Sequence, residues 1–323
     1  MKKLLLYFIF CVGFVAPLLA QQDPQFTNYM FNTLYFNPGF AGVEGVTKFT
    51  AIHRSQWAGY TPTFGGGGAP VTQIITMTTP IFKLNSGFGA QIVNDRLGVQ
   101  NNLDAQVSYA YHLGIKNSKL SIGIRSGIYS QTFNYGEYRY IDPNDPFFNT
   151  PEGSKKFGTE SQIKPDMAFG VFWRKEKYYA GFSVNHLLSS SFDFGVQNIR
   201  GYLQPHYYLT GGYFYEVNFD LKFQFMTLIS SDLSSTSVNF GGIAYYKDTM
   251  WGGLSFRTSE SANIMLGYTL LKDKSLRIGY GMDYTLINQD GKQATSHEFL
   301  MTYELPVNPG SGKKVVRTPR YRH

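Results

Sequence analysis

Hydrophobic and polar residues alternate along most of the chain. From Leu103 to Leu113 the odd positions read Leu, Ala, Val, Tyr, Tyr, Leu, and the even ones Asp, Gln, Ser, Ala, His. From Leu276 to Leu286 the even positions read Leu, Ile, Tyr, Met, Tyr, Leu, against Arg, Gly, Gly, Asp, Thr. From His297 to Leu305 the odd set is His, Phe, Met, Tyr, Leu. A period of two places each set on its own face of a strand. Fourteen such segments are predicted, at about 45–57, 70–81, 86–95, 102–114, 118–134, 165–174, 177–188, 204–216, 219–230, 236–246, 249–258, 261–271, 274–286 and 294–305.

Most of these segments run longer than the usual 5–6 residues of soluble strands and match the roughly 9–11 of a tilted strand crossing a bilayer. One face reads as small and polar, rich in Gly, Ser, Thr, Asn and Gln. That face suits a lumen, and the apolar face suits lipid. Alternate junctions are short (Phe82 to Asn85, Ile115 to Asn117, Lys175 to Glu176, Val217 to Asn218, Lys247 to Asp248, Lys272 to Asp273). The others include the long ones, Ala58 to Ala69, Tyr135 to Lys164 and Ser189 to Leu203. Backbone polar groups in hydrocarbon must all be paired, and a closed barrel pairs them. The fold expected is therefore an all-β, closed antiparallel transmembrane β-barrel of about fourteen strands over 45–305. An even strand count puts both termini in the periplasm. Tyr109, Tyr111, Tyr178, Tyr179, Tyr207, Tyr208, Tyr245 and Tyr246, near segment ends, are expected to form an interfacial girdle.

Composition agrees with this picture. Aromatics are 17% and charged residues 16% of 323 residues, the reverse of a disordered chain. A mean hydropathy of −0.21 argues against a helical membrane bundle. Residues 1–20 read as a signal peptide: Lys2 and Lys3 precede an apolar run from Leu4 to Val15, and Ala20 marks the cut. Cys11 is the single Cys and lies in that run, so the mature chain carries none, as suits an oxidising compartment. Two of the 29 basic residues lie in the signal and five in the tail after Leu305, which leaves 22 against 22 acidic ones. The net positive charge of the mature protein therefore sits in 306–323. It gives no reason to expect a nucleic-acid partner.

Catalytic chemistry is not legible. The six His are scattered singly, so no metal site or cofactor is predicted. Gly65 to Gly68 lacks the Lys-Ser/Thr of a phosphate loop. Ser296 and His297 are strand neighbours on opposite faces, unable to act as nucleophile and base. Asp142, Asp145 and Glu152 match no standard calcium loop. A non-enzymatic protein is expected.

The segment 21–44 does not alternate. It is aromatic and Asn-rich, with a turn signal at Asn37-Pro38-Gly39. Two readings stand: a lumen plug, with Phe26, Tyr29, Asn32, Asn37 and Pro38 as candidate contacts, or a periplasmic strap or irregular strand. The tail 306–323 opens with Pro306, which ends ladder pairing, and a Gly/Ser linker. Val315 and Val316 offer a short apolar anchor. Arg317, Arg320 and Arg322 offer bidentate contacts to carboxylates, so a periplasmic docking peptide is expected there.

Asp23 to Gly42, reading Asp-Pro-Gln-Phe-Thr-Asn-Tyr-Met-Phe-Asn-Thr-Leu-Tyr-Phe-Asn-Pro-Gly-Phe-Ala-Gly, closely resembles the N-terminal signature of PorP/SprF proteins of the type IX secretion system. The resemblance continues through Arg54-Ser55-Gln56-Trp57, Asn94-Asp95-Arg96-Leu97-Gly98, Pro165-Asp166 with Phe169-Gly170-Val171, and Gly181 to Leu187. Gly39-Phe40 departs mildly from the Ala-Tyr common in the family. The resemblance implies a bacterial outer-membrane barrel without enzymatic activity. Its implied role is secretion and surface holding of large adhesins in gliding bacteria, with the periplasmic ring of the secretion machine or a secreted adhesin as partner. The cell wall is a further candidate for the tail. The competing function is an outer-membrane channel for small-solute diffusion or uptake.

Overall fold

The computed structural model describes residues 23–61, 68–137, 158–194, 201–258, 260–271, 273–287 and 293–305. The predicted signal peptide, the tail with Val315, Val316, Arg317, Arg320 and Arg322, and the loop acids Asp142, Asp145 and Glu152 lie outside the described residues.

The strands are β1 Lys48–Ser55, β2 Val71–Ile81, β3 Ser86–Leu97, β4 Gln100–Ile115, β5 Ser118–Asn134, β6 Thr159–Lys175, β7 Tyr178–Asn185, β8 Ser191–Phe192, β9 Gly201–Tyr202, β10 His206–Glu216, β11 Leu221–Ser231, β12 Thr236–Tyr246, β13 Met250–Arg257, β14 Ser261–Leu270, β15 Leu276–Thr285 and β16 Thr295–Glu304. All but β8 and β9 form one closed antiparallel barrel of fourteen strands, in which β1 pairs with β16 from Lys48↔Glu304 to Ser55↔His297. β8 and β9 make a small ribbon in the connection between β7 and β10. None of the described helices is long and apolar enough to cross a membrane.

Alternation sorts the side chains as expected. On β4, Leu103, Val107, Tyr109, Tyr111 and Leu113 face outward and are exposed, while Asp104, Gln106, Ser108 and Ala110 are buried inside. On β16, Phe299 and Met301 point out and Ser296, Glu298, Leu300 and Thr302 point in. Short turns lie at one rim. Lys247 and Asp248, between β12 and β13, both have positive φ (54° and 50°), the backbone hand that matches strand twist in tight hairpins.

Three expectations change. β6 begins at Thr159 rather than at 165, so the preceding loop is shorter than predicted. Pro165 sits inside the ladder opposite Ile128 of β5, but β6 pairs with β7 only from Phe169 onward. The missing N–H of Pro165 therefore falls on the unpaired side, where proline is tolerated. Second, the adjacent Tyr pairs do not form a common girdle. Tyr178 and Tyr246 are exposed outside, whereas Tyr208 and Tyr245 are buried in the lumen, because strand neighbours point to opposite faces. Third, the lumen is not uniformly small and polar. Ile52, Ile74, Met226, Ile243, Trp251, Met265 and Leu300 face inward and are buried. They require an apolar partner inside the barrel, and the N-terminal segment is that partner.

Candidate functional site

Residues 23–46 thread the lumen from one rim to the other. Asp23 hydrogen-bonds His206, the first residue of β10, at the rim of the long connections. Gly42 donates to Thr78 Oγ1 near the opposite rim (2.7 Å). Leu305 donates to Thr47 at that same opposite rim (2.8 Å). The first and last described residues, Asp23 and Leu305, thus lie at opposite ends of the barrel, and the two termini themselves lie outside the described residues.

Between the rims the segment folds into a turn at Tyr29–Phe31, a single helical turn α1 at Thr33–Phe36, and a turn at Pro38–Phe40. Pro38 stands at the start of the last turn, and Asn37 caps it by accepting from the Gly39 N–H (2.8 Å), the usual division of labour between Pro and Asn. The aromatic side chains radiate into the wall. Phe31 packs on Trp251 at 4.7 Å between ring centroids, Phe36 on Tyr208 at 5.3 Å, and Phe40 on Phe172 at 5.1 Å. Phe26, Tyr29, Asn32, Asn37 and Pro38, singled out in the sequence, are all buried there. Asn32 accepts from Thr76 Oγ1 (3.1 Å), and Asn37 Nδ2 donates to the carbonyls of Val171 (3.0 Å) and Phe182 (3.2 Å). Asn37 reaches those carbonyls only because Gly170 lies beneath it: a Cβ there would stand 2.1 Å from Asn37 Oδ1.

Buried charges complete the seating. Arg54 Nη2 lies 2.7 Å from Asp283 Oδ2, and its Nη1 lies 3.3 Å from Glu298 Oε2 and 2.9 Å from Thr27 Oγ1. Glu298 accepts the backbone N–H groups of Thr27 and Asn28, each at 2.8 Å, and the Asn28 amide at 2.9 Å. Thr27 Oγ1 also donates to Asp283. Arg257 stands 3.6 Å from Asp283 and donates to the Phe26 carbonyl (3.4 Å). Lower in the lumen, Arg125 Nη1 donates to the carbonyls of Tyr35 (2.6 Å) and Leu34 (3.3 Å), and Ser183 to that of Phe36 (2.8 Å). The wall therefore supplies partners for backbone groups that the short turns leave unpaired, and buried polar groups need such partners.

At the long-loop rim, Asp23 meets three side chains. His186 Nε2 is 2.9 Å from its Oδ1, the Tyr208 hydroxyl donates to its Oδ2 (2.7 Å), and its own N–H donates to His206 Nε2 (3.2 Å). Burial by itself would push the Asp23 carboxyl up. The charge of His186 and the hydrogen bonds from His186 and Tyr208 outweigh it and hold the group well below the usual carboxylate range.

No motif of known chemistry marks these wall charges or the two histidines, although Arg54 and His186 fall within the family-like runs Arg54 to Trp57 and Gly181 to Leu187. The other signal was position: Arg54, Arg125, Asp283 and Glu298 occupy the inward, polar register of strands in a chain poor in charge. Ser296 and His297 do lie on opposite faces. Ser296 accepts from the Trp57 N–H inside (3.1 Å), and His297 pairs with Tyr280 (2.6 Å).

The family of type IX secretion system membrane proteins PorP/SprF matches residues 18–303. No curated protein matches the chain. Among solved structures, the toluene transporter TbuX of Ralstonia pickettii is similar at 12% identity and TM-score 0.49, over 84% of this chain and 92% of that one. The outer membrane protein Omp33 of Acinetobacter baumannii is similar at 7% identity and TM-score 0.45, over 80% and 98%. The monoaromatic hydrocarbon channel CymD is similar at 10% identity and TM-score 0.47, over 84% and 91%.

Proposed function

The chain belongs to the PorP/SprF family of type IX secretion system membrane proteins, and on that premise we propose a non-enzymatic outer-membrane barrel that serves secretion by holding partners rather than by conducting solutes. The finer role is support of the secretion and surface attachment of large adhesins. The periplasmic partner is engaged at the short-turn rim and by the basic tail, with the periplasmic ring of the secretion machine as the component bound. In this orientation Leu305 faces the periplasm, the long connections face the exterior, and Asp23 lies toward the outer mouth.

The observation that carries the reading is the occupied lumen. A diffusion channel needs a continuous wet path, whereas here a 24-residue segment, 23–46, is bonded to strands around the wall. Two cavities beside it, about 10 and 20 Å³, are each near the size of a single water.

Two measurements on the purified protein test this. Planar bilayers should show no large steady conductance, and affinity capture from solubilised envelopes should bring type IX components with the barrel. A large open conductance would overturn the reading in favour of the small-solute channel.

A further inference from the structure

The strongest unassigned chemistry lies at the outer end of the plug. Asp23, His186 and His206 come from three places in the chain. One ligand-type atom of each lies within 4.8 Å of those of the other two. The two imidazole rings stand 5.8 Å apart at 84° to one another.

Their hydrogen bonds orient them. His186 Nδ1 faces Asp166 Oδ2 at 2.8 Å, and His206 Nδ1 donates to the Gln204 carbonyl at 2.9 Å. Each ring is thereby held by an acceptor on Nδ1, which leaves both Nε2 atoms turned toward Asp23. A carboxylate or carbonyl on the far nitrogen is how metal-ligating histidines are usually fixed in tautomer and direction. Tyr208 does the same for the carboxylate by taking Oδ2, which leaves Oδ1 toward the rings. Cavities flank the cluster on both sides, one bordered by Asp23 and His206 and the other by Asp23 and His186. In the second, buried Asn185 Oδ1 has no hydrogen-bond partner among the described residues. It can accept from a water completing a coordination shell.

We propose that Asp23, His186 and His206 bind one divalent transition-metal ion of the zinc class, which staples the plug to the barrel wall at β7 and β10. Two imidazole nitrogens and one carboxylate oxygen suit such an ion, with water in the fourth position. Ligand atoms about 2.0–2.2 Å from zinc stand about 3.4 Å apart in a tetrahedron. Asp23 Oδ1 stands 2.9 Å from His186 Nε2 and 3.9 Å from His206 Nδ1, and one ligand atom of each of the three residues lies within 4.8 Å of the other two. Without metal, a proton on His186 Nε2 bridges to Asp23. Metal takes that position, the proton leaves to solvent, and the Asp23 N–H gives up His206 Nε2. The proposal rests on the plug being resident in the lumen.

The test uses the full-length barrel in detergent, stripped with EDTA and desalted. Titration with Zn²⁺ should give one ion per chain by elemental analysis, with proton release. Co²⁺ should develop visible d–d absorption of four-coordinate strength. His206→Ala and Asp23→Asn should each weaken Zn²⁺ binding at least tenfold, while His297→Ala, on the outer face, leaves it unchanged. Wild-type protein that retains no zinc overturns the proposal. So does His206→Ala protein that binds as tightly as wild type. Should the variants fail to assemble, the wild-type Co²⁺ spectrum decides alone, and no bands at one equivalent overturns it. Protease protection of residues 23–46, measured in the stripped protein, separates the two readings. A protected segment with no metal binding sinks only the metal site, and an unprotected segment sinks the plug.

Discussion

Arg54 on β1 and Glu298 on β16 are direct cross-strand partners at the seam where the barrel closes, and both side chains point into the lumen. Glu298 also holds the backbone of Thr27 and Asn28. Seam closure and plug seating therefore share one buried ion pair. Removing one member of a buried pair typically costs about 3–5 kcal/mol, because it strands the other charge. Arg54→Met and Glu298→Leu should each lower the urea midpoint of the purified barrel by that order and speed proteolysis within 23–46. The double variant should be milder than the sum of the two. Strict additivity would show that the pair is not coupled.

Close backbone approach makes a second prediction. A Cβ on Gly123 would lie 2.5 Å from the Pro38 carbonyl, whereas one on Gly114 meets nothing within 4 Å. Gly123→Ala should displace the plug at a cost of about 1–3 kcal/mol, the range for overpacking, and raise protease sensitivity of 23–46. Gly114→Ala should behave as wild type. Heat-modifiability on gels, with limited proteolysis, reads both.

The lipid face gives a third. Val107 is 52% exposed in the middle of β4. Val107→Arg should cost about 2–4 kcal/mol near the midplane, and Ile115→Arg, at the short-turn rim, about 0–1. Equal assembly yields in vesicles would contradict the register.

Orientation is checked by an epitope at Asn149, between β5 and β6. Antibody should label intact cells. Labelling only after permeabilisation would invert the proposed topology.

The tail gives the last. Deleting 312–323 should leave insertion and heat-modifiability intact and release the periplasmic partner during purification. Arg317→Glu with Arg320→Glu should do the same, while Lys at both positions should release it only in part, since Lys lacks the bidentate fork. A truncated protein that keeps its partners and full secretion would leave the tail without a docking role.

The sequence by itself determined the wall. Alternation is a local property, so period two marked fourteen strands, their outward faces and the rim of short turns without any knowledge of contacts. Family membership was legible in the same way, from the continuous run Asp23 to Gly42. What fills the lumen was decided only by the tertiary structure. Residues 23–46 have no periodicity of their own, and the sequence left plug and strap both open. Their partners are remote: Thr27 meets Glu298 across 271 positions, and Asp23 meets His186 across 163. Inward Ile52, Trp251 and Leu300 share one buried cluster with Phe26, Phe31 and Phe36, a grouping that only closure of the barrel around the segment creates. Period two tells which face a residue takes, but only the closed ring decides which inward residues share a height and meet. The convergence of Asp23, His186 and His206 on one point therefore had no sequence signature.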